Sequence, residues 1–208
     1  MFLLYPQTCC HCYHNILKKN NFCSVCQSDF TLLDPEQHCP YCFCENRGIC
    51  NECINYKRFR IKMGAVCNHI GAVKSHLNFV RKGMQTKIAS SLLSVQFFRL
   101  KWEIPDCIIP IPSRGNNEFI KVFSRSIGVP YYPILKEARR CLPQMRIPWK
   151  ERYQLEQGKF QLKTSVAGKN ILLVDDLLGT GTTLRVAAEV LKEANRIYAL
   201  TISKLCFL

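Results

Sequence analysis

Hydrophobic positions in the second part of the chain recur with two distinct periods. In "GAVKSHLNFVRKG" the residues Val73, Leu77 and Val80 return every three or four positions, which predicts a helix. A second helix follows the break at Gly83 and runs to "FFRL". By contrast, "PDCIIPIP" and "KNILLVDD" are short unbroken apolar runs, the pattern of strands buried on both faces. "NNEFIKVFSRSIG" predicts a helix stopped by Gly128, "VPYYPIL" a strand, "TTLRVAAEVLKEAN" a helix and "RIYALTIS" a last strand. "KRFRIK", residues 57–62, fits a basic linker or a first strand. Strands alternating with helices predict an α/β fold, a parallel sheet with right-handed crossovers. Such sheets bind ligands at the carboxyl ends of their strands.

One place breaks the hydrophobic logic. In "ILLVDDLLGTGTTL" four aliphatic residues lead directly into Asp175 and Asp176. The pattern predicts a strand over 171–175 that delivers both carboxylates to the sheet edge. Gly179 and Gly181 then permit close backbone approach. Thr180, Thr182 and Thr183 add hydroxyls, and a helix from about Thr182 aims its N-terminus at whatever the loop holds. Exposed amides and a helix dipole suit a phosphate. Carboxylates would repel that phosphate unless they accept hydrogen bonds from sugar hydroxyls or act with Mg²⁺. A phosphorylated sugar meets both requirements. The loop lacks the lysine of GxxxxGK[ST], and its acids precede too few glycines for GxGxxG. The plain alternative is a strand–turn–helix junction with no ligand.

Composition divides the chain. Ten of the 14 cysteines fall within residues 1–53, and Cys67, Cys107, Cys141 and Cys206 read as buried apolar side chains. Residues 1–56 carry a net charge of −2 and residues 57–208 a net charge of +16. The coincident shifts predict a boundary near 54–62, with a cysteine module over 1–56 and a second domain over 57–208. The basic part would attract polyanions, either phosphorylated metabolites or nucleic acid. No apolar run reaches the roughly 18–20 residues that span a bilayer. "MFLLYPQTCC" lacks the basic region and apolar length of a signal peptide, so a cytoplasmic protein without membrane insertion is expected. A reducing compartment argues against a disulfide framework.

Four CxxC pairs stand in that module: Cys9/Cys12, Cys23/Cys26, Cys39/Cys42 and Cys50/Cys53. Two such pairs make a tetrahedral Cys₄ site for zinc, so one or two structural Zn²⁺ ions are expected. Sequential pairing gives plausible ribbon spacings, and spacing alone leaves interleaved pairing open. Cys10, His11, His14, His38 and Cys44 lie nearby as possible substitute ligands and are read as bystanders or as groups that support the ligands. A segment this short buries too little to fold alone, so metal would supply its stability.

The "ILLVDDLLGTGTT" stretch resembles the phosphoribosyl-pyrophosphate signature of type I phosphoribosyltransferases, with Gly179 where those enzymes more often carry Thr, Ser or Ala. CxxC pairs ahead of such a signature resemble the ComF family of competence proteins. "IIPIPSRGNNEF" is similar to that family's Pro-x-Pro strand end and Arg-Gly-x-Asn-Gln stretch, through Arg114, Gly115 and Asn117, with a shorter loop and Glu118 in place of Gln. "LPQMRIPWKERYQLEQGKF" matches at Gln144, Arg152, Gly158 and Phe160, with Leu155 for an expected Asn. Arg81 and Lys82 fall near a Lys-rich family position, and His69 replaces a usual Tyr.

The resemblance implies a type I phosphoribosyltransferase-like parallel sheet flanked by helices, behind a small zinc module. It implies phosphoribosyl pyrophosphate with Mg²⁺ as ligand. Asp175 and Asp176 would hold the ribose hydroxyls. Leu177, Leu178, Gly179, Thr180, Gly181, Thr182 and Thr183 would form the phosphate loop. Ser113, Arg114, Arg81 and Lys82 would flank pyrophosphate, and Arg152 would join the aspartates in catalysis. A basic stretch over 136–152, net +4, would close over the ligand as related loops do. It further implies a part in DNA uptake, with single-stranded DNA and competence proteins as partners. Catalysis with an unknown acceptor, a non-catalytic ligand sensor and a DNA-handling factor all remain open at this point.

Overall fold

The computed structural model describes residues 7–16, 21–55, 61–112, 115–138 and 154–205. Its centre is a four-stranded, all-parallel sheet. The strands are β3 (Lys62–Asn68), β4 (Cys107–Pro110), β7 (Asn170–Leu178) and β8 (Arg196–Lys204), in the order β3-β8-β7-β4. Helices α3 (Gly71–Arg81), α4 (Thr86–Arg99) and α5 (Glu118–Ile127) fill the connections on one side, and α6 (Thr182–Val190) joins β7 to β8.

Successive strand residues point to opposite faces, and β7 shows why its run is apolar throughout. Ile171 and Leu173 enter a core shared with Leu184, Ala187 and Leu191 of the α6 segment. Leu172 and Val174 enter a second core with Leu77, Leu93 and Phe123 of α3, α4 and α5. All four are fully buried. The predicted fold class, a parallel sheet flanked by helices, is what the chain adopts.

Several elements differ from the sequence expectation. β3 begins at Lys62, the last residue of "KRFRIK", and runs on through residues that the hydrophobic pattern left unassigned; five consecutive positions, Met63 to Cys67, are buried. The "VPYYPIL" strand reduces to a parallel bridge between Tyr131 and Ile108, followed by β5 (Leu135–Glu137). Pro130 and Pro133 cannot donate to a ladder, which breaks the run. β5 pairs antiparallel with β6 (Phe160–Leu162). Helix α6 stops at Val190, and the turn after it sets Asn195 against Lys169 and Asn170 so that β8 can start beside β7. Gly128 does close α5, with φ of 70°.

The cysteine-rich segment is built as two similar halves. In the first, β1 (Gln7–Thr8) and β2 (Asn15–Ile16) form a hairpin, and α1 (Ser24–Gln27) follows. In the second, a bridge between His38 and Glu45 takes the hairpin's place and α2 (Asn51–Asn55) follows. The hydrogen bonds repeat as well. Cys9 N–H donates to the His14 carbonyl and Tyr13 N–H to that of Cys9; Cys39 N–H donates to Cys44 and Phe43 N–H to Cys39. Tyr13 and Phe43 both take positive φ, 62° and 57°.

This segment packs on the sheet. Leu33 and Phe43 belong to the same core as β7 and α6. Leu33 N–H donates to Val66 on edge strand β3, at 2.8 Å. The fully buried Gln96 of α4 gives its amide to both the Leu33 and the Ala65 carbonyls, each at 2.9 Å. Asp29 accepts from Ala72 N–H at the start of α3.

Candidate functional site

β4 pairs with β7 as far as Pro110 opposite Val174, while β8 accompanies β7 on to Leu178 opposite Lys204. The aspartates therefore lie inside β7 rather than at its last residue, as the expected 171–175 strand had it. They begin where the β4 ladder ends, so one flank of the strand opens there. Because neighbours on a strand face opposite ways, the pair divides. Asp175 lines a recess of about 110 Å³ with Glu156, Leu177, Leu178 and the residues from Gly179 to Leu184. Asp176 instead receives Arg81 Nε from α3, at 2.5 Å.

The recess is walled by the loop that the sequence singled out. Gly181 adopts φ of 75° immediately before α6, and a side chain there would meet Arg185 Nη1 at 2.8 Å and Met63 at 3.0 Å. Thr180 and Thr182 hydroxyls are 2.8 Å apart. Thr183 donates to Glu156 Oε2, which also lies 3.5 Å from Lys159 Nζ. Amides at the N-terminus of a nine-residue helix bring hydrogen-bond donors and the positive end of the helix dipole to this recess, opposite the acids Asp175 and Glu156.

Charge inside the site is uneven. Burial, with the neighbouring Asp176 charge adding to it, pushes the Asp175 carboxyl up to about 7; the Asp176 amide, Arg81 and Lys159 pull the other way. Asp175 Oδ1 accepts from Asp176 N–H at 2.8 Å. The hydrogen bond to Asp176 raises Arg81 above its ordinary value. His69, bonded to Ser203 at 3.0 Å, is lowered by burial and by the nearby Lys74 and Arg81 charges.

The structure thus assembles Asp175 and residues 177–183 around one recess and brings Arg81 to Asp176. Lys82 is exposed at the end of α3 and does not line the recess. Ser113, Arg114 and Arg152 lie outside the described residues, as does most of the basic 136–152 stretch. Gly115 and Asn116, just beyond Arg114, pack on Arg81, whose carbonyl accepts from Asn116 N–H at 2.9 Å.

Two residues escaped the sequence reading. Glu156 is an isolated acid just after a basic stretch, which was the available signal. Arg185, only 6% exposed, stands between two apolar residues of α6; its Nη1 donates to the Thr180 carbonyl at 2.7 Å and its Nη2 to the Tyr41 carbonyl at 3.3 Å.

The cysteines form two tetrads, Cys9/Cys12/Cys23/Cys26 and Cys39/Cys42/Cys50/Cys53, each with its four sulfurs within 4.8 Å of one another. That settles the grouping as sequential. Cys10, His11, His14, His38 and Cys44 belong to neither tetrad. In each, the third cysteine's amide donates to the first cysteine's sulfur, Cys23 to Cys9 at 3.4 Å and Cys50 to Cys39 at 3.5 Å. Burial opposes ionisation of Cys9, but backbone hydrogen bonds from Cys12, Cys23 and His11 prevail and lower it to about 6. Cys50 is likewise lowered to about 7 against burial. Either tetrad could hold a metal ion, and four thiolates in a closed site suit zinc.

Among the described residues no helix is long and apolar enough to cross a membrane. Known proteins are similar to parts of this chain. An adenine phosphoribosyltransferase of Kineococcus radiotolerans is 38% identical over 71 residues, 32% of this chain and 36% of that protein. One from Methylacidiphilum infernorum is 32% identical over 121 residues, 53% of this chain and 67% of that protein. The chain thus spans about a third of the first and two thirds of the second. The crystal structure of Leishmania tarentolae adenine phosphoribosyltransferase aligns with a TM-score of 0.40 at 16% identity, covering 62% of this chain and 59% of that one. The phosphoribosyl transferase domain matches residues 80–196, more than half of the 208, and the chain belongs to that family.

Proposed function

We propose that the chain binds phosphoribosyl pyrophosphate with Mg²⁺ at the β7–α6 junction and transfers its phosphoribosyl group to an acceptor nucleophile, whose bond to the ribose C1 carbon forms as the bond to pyrophosphate breaks. The observation that carries this reading is the recess itself, where Asp175 faces the amides and hydroxyls of residues 179–183 at a helix N-terminus. A 5′-phosphate fits the amides, and ribose hydroxyls fit the carboxylates as donors to acceptors. Mg²⁺ would supply charge neutralisation at pyrophosphate. Displacement at the ribose C1 carbon builds positive charge there, which the Asp175 carboxylate offsets from the recess, while Asp176 holds Arg81. Arg81 supplies positive charge that stabilises departing pyrophosphate, and the sequence resemblance assigns Arg114 and Arg152 to the same role. Zinc in the two tetrads has a structural role in this reading.

The test is isothermal titration of phosphoribosyl pyrophosphate with Mg²⁺ into the wild type and into Asp175→Asn/Asp176→Asn. Micromolar binding by the wild type and at least a ~10-fold loss in the double variant are expected, since charge-assisted hydrogen bonds are lost. A wild type that gives no heat would overturn the ligand assignment.

The biological setting we propose is DNA uptake, as the ComF resemblance implies, with cytoplasmic single-stranded DNA handled beside competence proteins. The net charge of +16 over 57–208 supports contact with a polyanion. Gel shifts across a salt series give the check: a flat salt response removes the basic surface as a DNA contact.

A further inference from the structure

The loop that walls the recess is backed by the second cysteine knuckle. The short turn between Cys39 and Cys42 offers two consecutive carbonyls to the domain. Pro40 accepts from Met63 N–H on β3 at 2.8 Å, and Tyr41 accepts from Arg185 Nη2 at 3.3 Å. Arg185 then reaches Thr180, whose carbonyl takes Nη1 at 2.7 Å. Met63 and Arg185 are the two side chains under Gly181. The floor of the phosphate loop is therefore the same pair of residues that grips the metal knuckle. A buried guanidinium bonded at both ends has few alternative positions, and its planar fork fixes the separation of the two carbonyls.

The first tetrad is tied elsewhere. His11 meets Ser75 at 2.9 Å, and Gln85 donates to Cys10 at 3.5 Å, so this half braces α3 and the turn after it. The two halves, alike in build, thus support different parts of the domain.

We infer that Arg185 is a positioning residue through which the Cys39/Cys42/Cys50/Cys53 tetrad, with its metal bound, holds the loop 179–183 in ligand-binding shape. Arg185 does not line the recess; it acts on the ligand through the Thr180 carbonyl and the Gly181 backbone. The ligand part of this inference rests on the phosphoribosyl pyrophosphate reading above, while the loop part does not.

The experiment uses the full chain purified with zinc, as wild type, Cys42→Ser, Cys12→Ser, Arg185→Met and Arg185→Lys. Hydrogen–deuterium exchange reads the amides of 179–184, and titration with phosphoribosyl pyrophosphate and Mg²⁺ reads affinity. Cys42→Ser and Arg185→Met should each speed loop exchange and weaken binding by about tenfold, the size of one lost charge-assisted hydrogen bond. Cys12→Ser should leave loop exchange at the wild-type rate, and Arg185→Lys should recover part of the loss. Strand amides of β7 and β8 report the intact sheet. Should Arg185→Met lose that protection, Arg185→Lys decides. Loop exchange in Cys42→Ser at the wild-type rate, or an equal rise in Cys12→Ser, overturns the inference. A wild type that binds no phosphoribosyl pyrophosphate would remove the ligand assignment alone, because loop exchange still decides whether the knuckle holds the loop.

Discussion

Asp175 and Asp176 are adjacent in sequence and opposite in environment. Asp176 has the Arg81 guanidinium at 2.5 Å, whereas Asp175 has its neighbour's amide and a desolvated recess. With its folded pKa raised from 3.8 to about 7, Asp175 binds its proton more tightly in the native state than in the unfolded chain. Between those values the unfolded state carries fewer protons, so this residue makes stability fall as pH rises. Asp175→Asn removes that dependence. Thermal melts of the two proteins should therefore converge toward pH 4, and the Asn variant should gain on the wild type up to pH 7 and level off beyond. An offset that stays constant across that range would contradict the assignment. The acid pair was readable from sequence because an apolar run leading into carboxylates has no packing explanation. Arg185 and Glu156 were not, because what each touches depends on distant chain: Tyr41 for one, Thr183 for the other.

At the scale of elements, the two glycines of "GTG" look equivalent in sequence and are not. Gly181 has φ of 75° and no room for a side chain against Arg185 and Met63. At Gly179 a Cβ would meet only Leu205 Cδ1, at an ordinary 3.7 Å, and φ there is not positive. Gly179→Ala should leave melting temperature and ligand affinity close to wild type. Gly181→Ala should cost about 1–2 kcal/mol from the left-handed backbone, more where Arg185 is displaced, and weaken phosphoribosyl pyrophosphate binding. Thermal melts and titrations of the pair provide the check; equal effects would mean that the loop tolerates other shapes. Periodicity found the helices α3, α4 and α5 and the buried strands β4, β7 and β8, since those patterns report burial directly. It passed over β3, whose run of Met63, Gly64, Ala65, Val66 and Cys67 is buried but built from small and sulfur-bearing residues with little strand character. It also ended β7 too early, because the length of a strand past its apolar run is set by its partner, here β8.

At the scale of the whole molecule, composition divides the chain near residue 56, yet the contacts run across that line. Leu33 and Phe43 share a core with β7 and α6, Leu33 N–H pairs with the edge of β3, and Gln96 spans both parts from a position without solvent access. Zinc held by the two tetrads would therefore brace a segment that supplies core residues to the sheet. Closed Cys₄ sites contribute folding free energy, because the unfolded chain offers no preformed site. Stripping zinc with a strong chelator should thus lower the melting temperature of the entire chain. A loss of about 3 kcal/mol corresponds to roughly 6–12 °C for a domain of this size. Calorimetry distinguishes the outcomes. One cooperative transition that moves down as a unit is expected, with the molar zinc released approaching two. A separate early transition, leaving a main transition at its original temperature, would instead mean that residues 57–208 hold their fold without the metal segment.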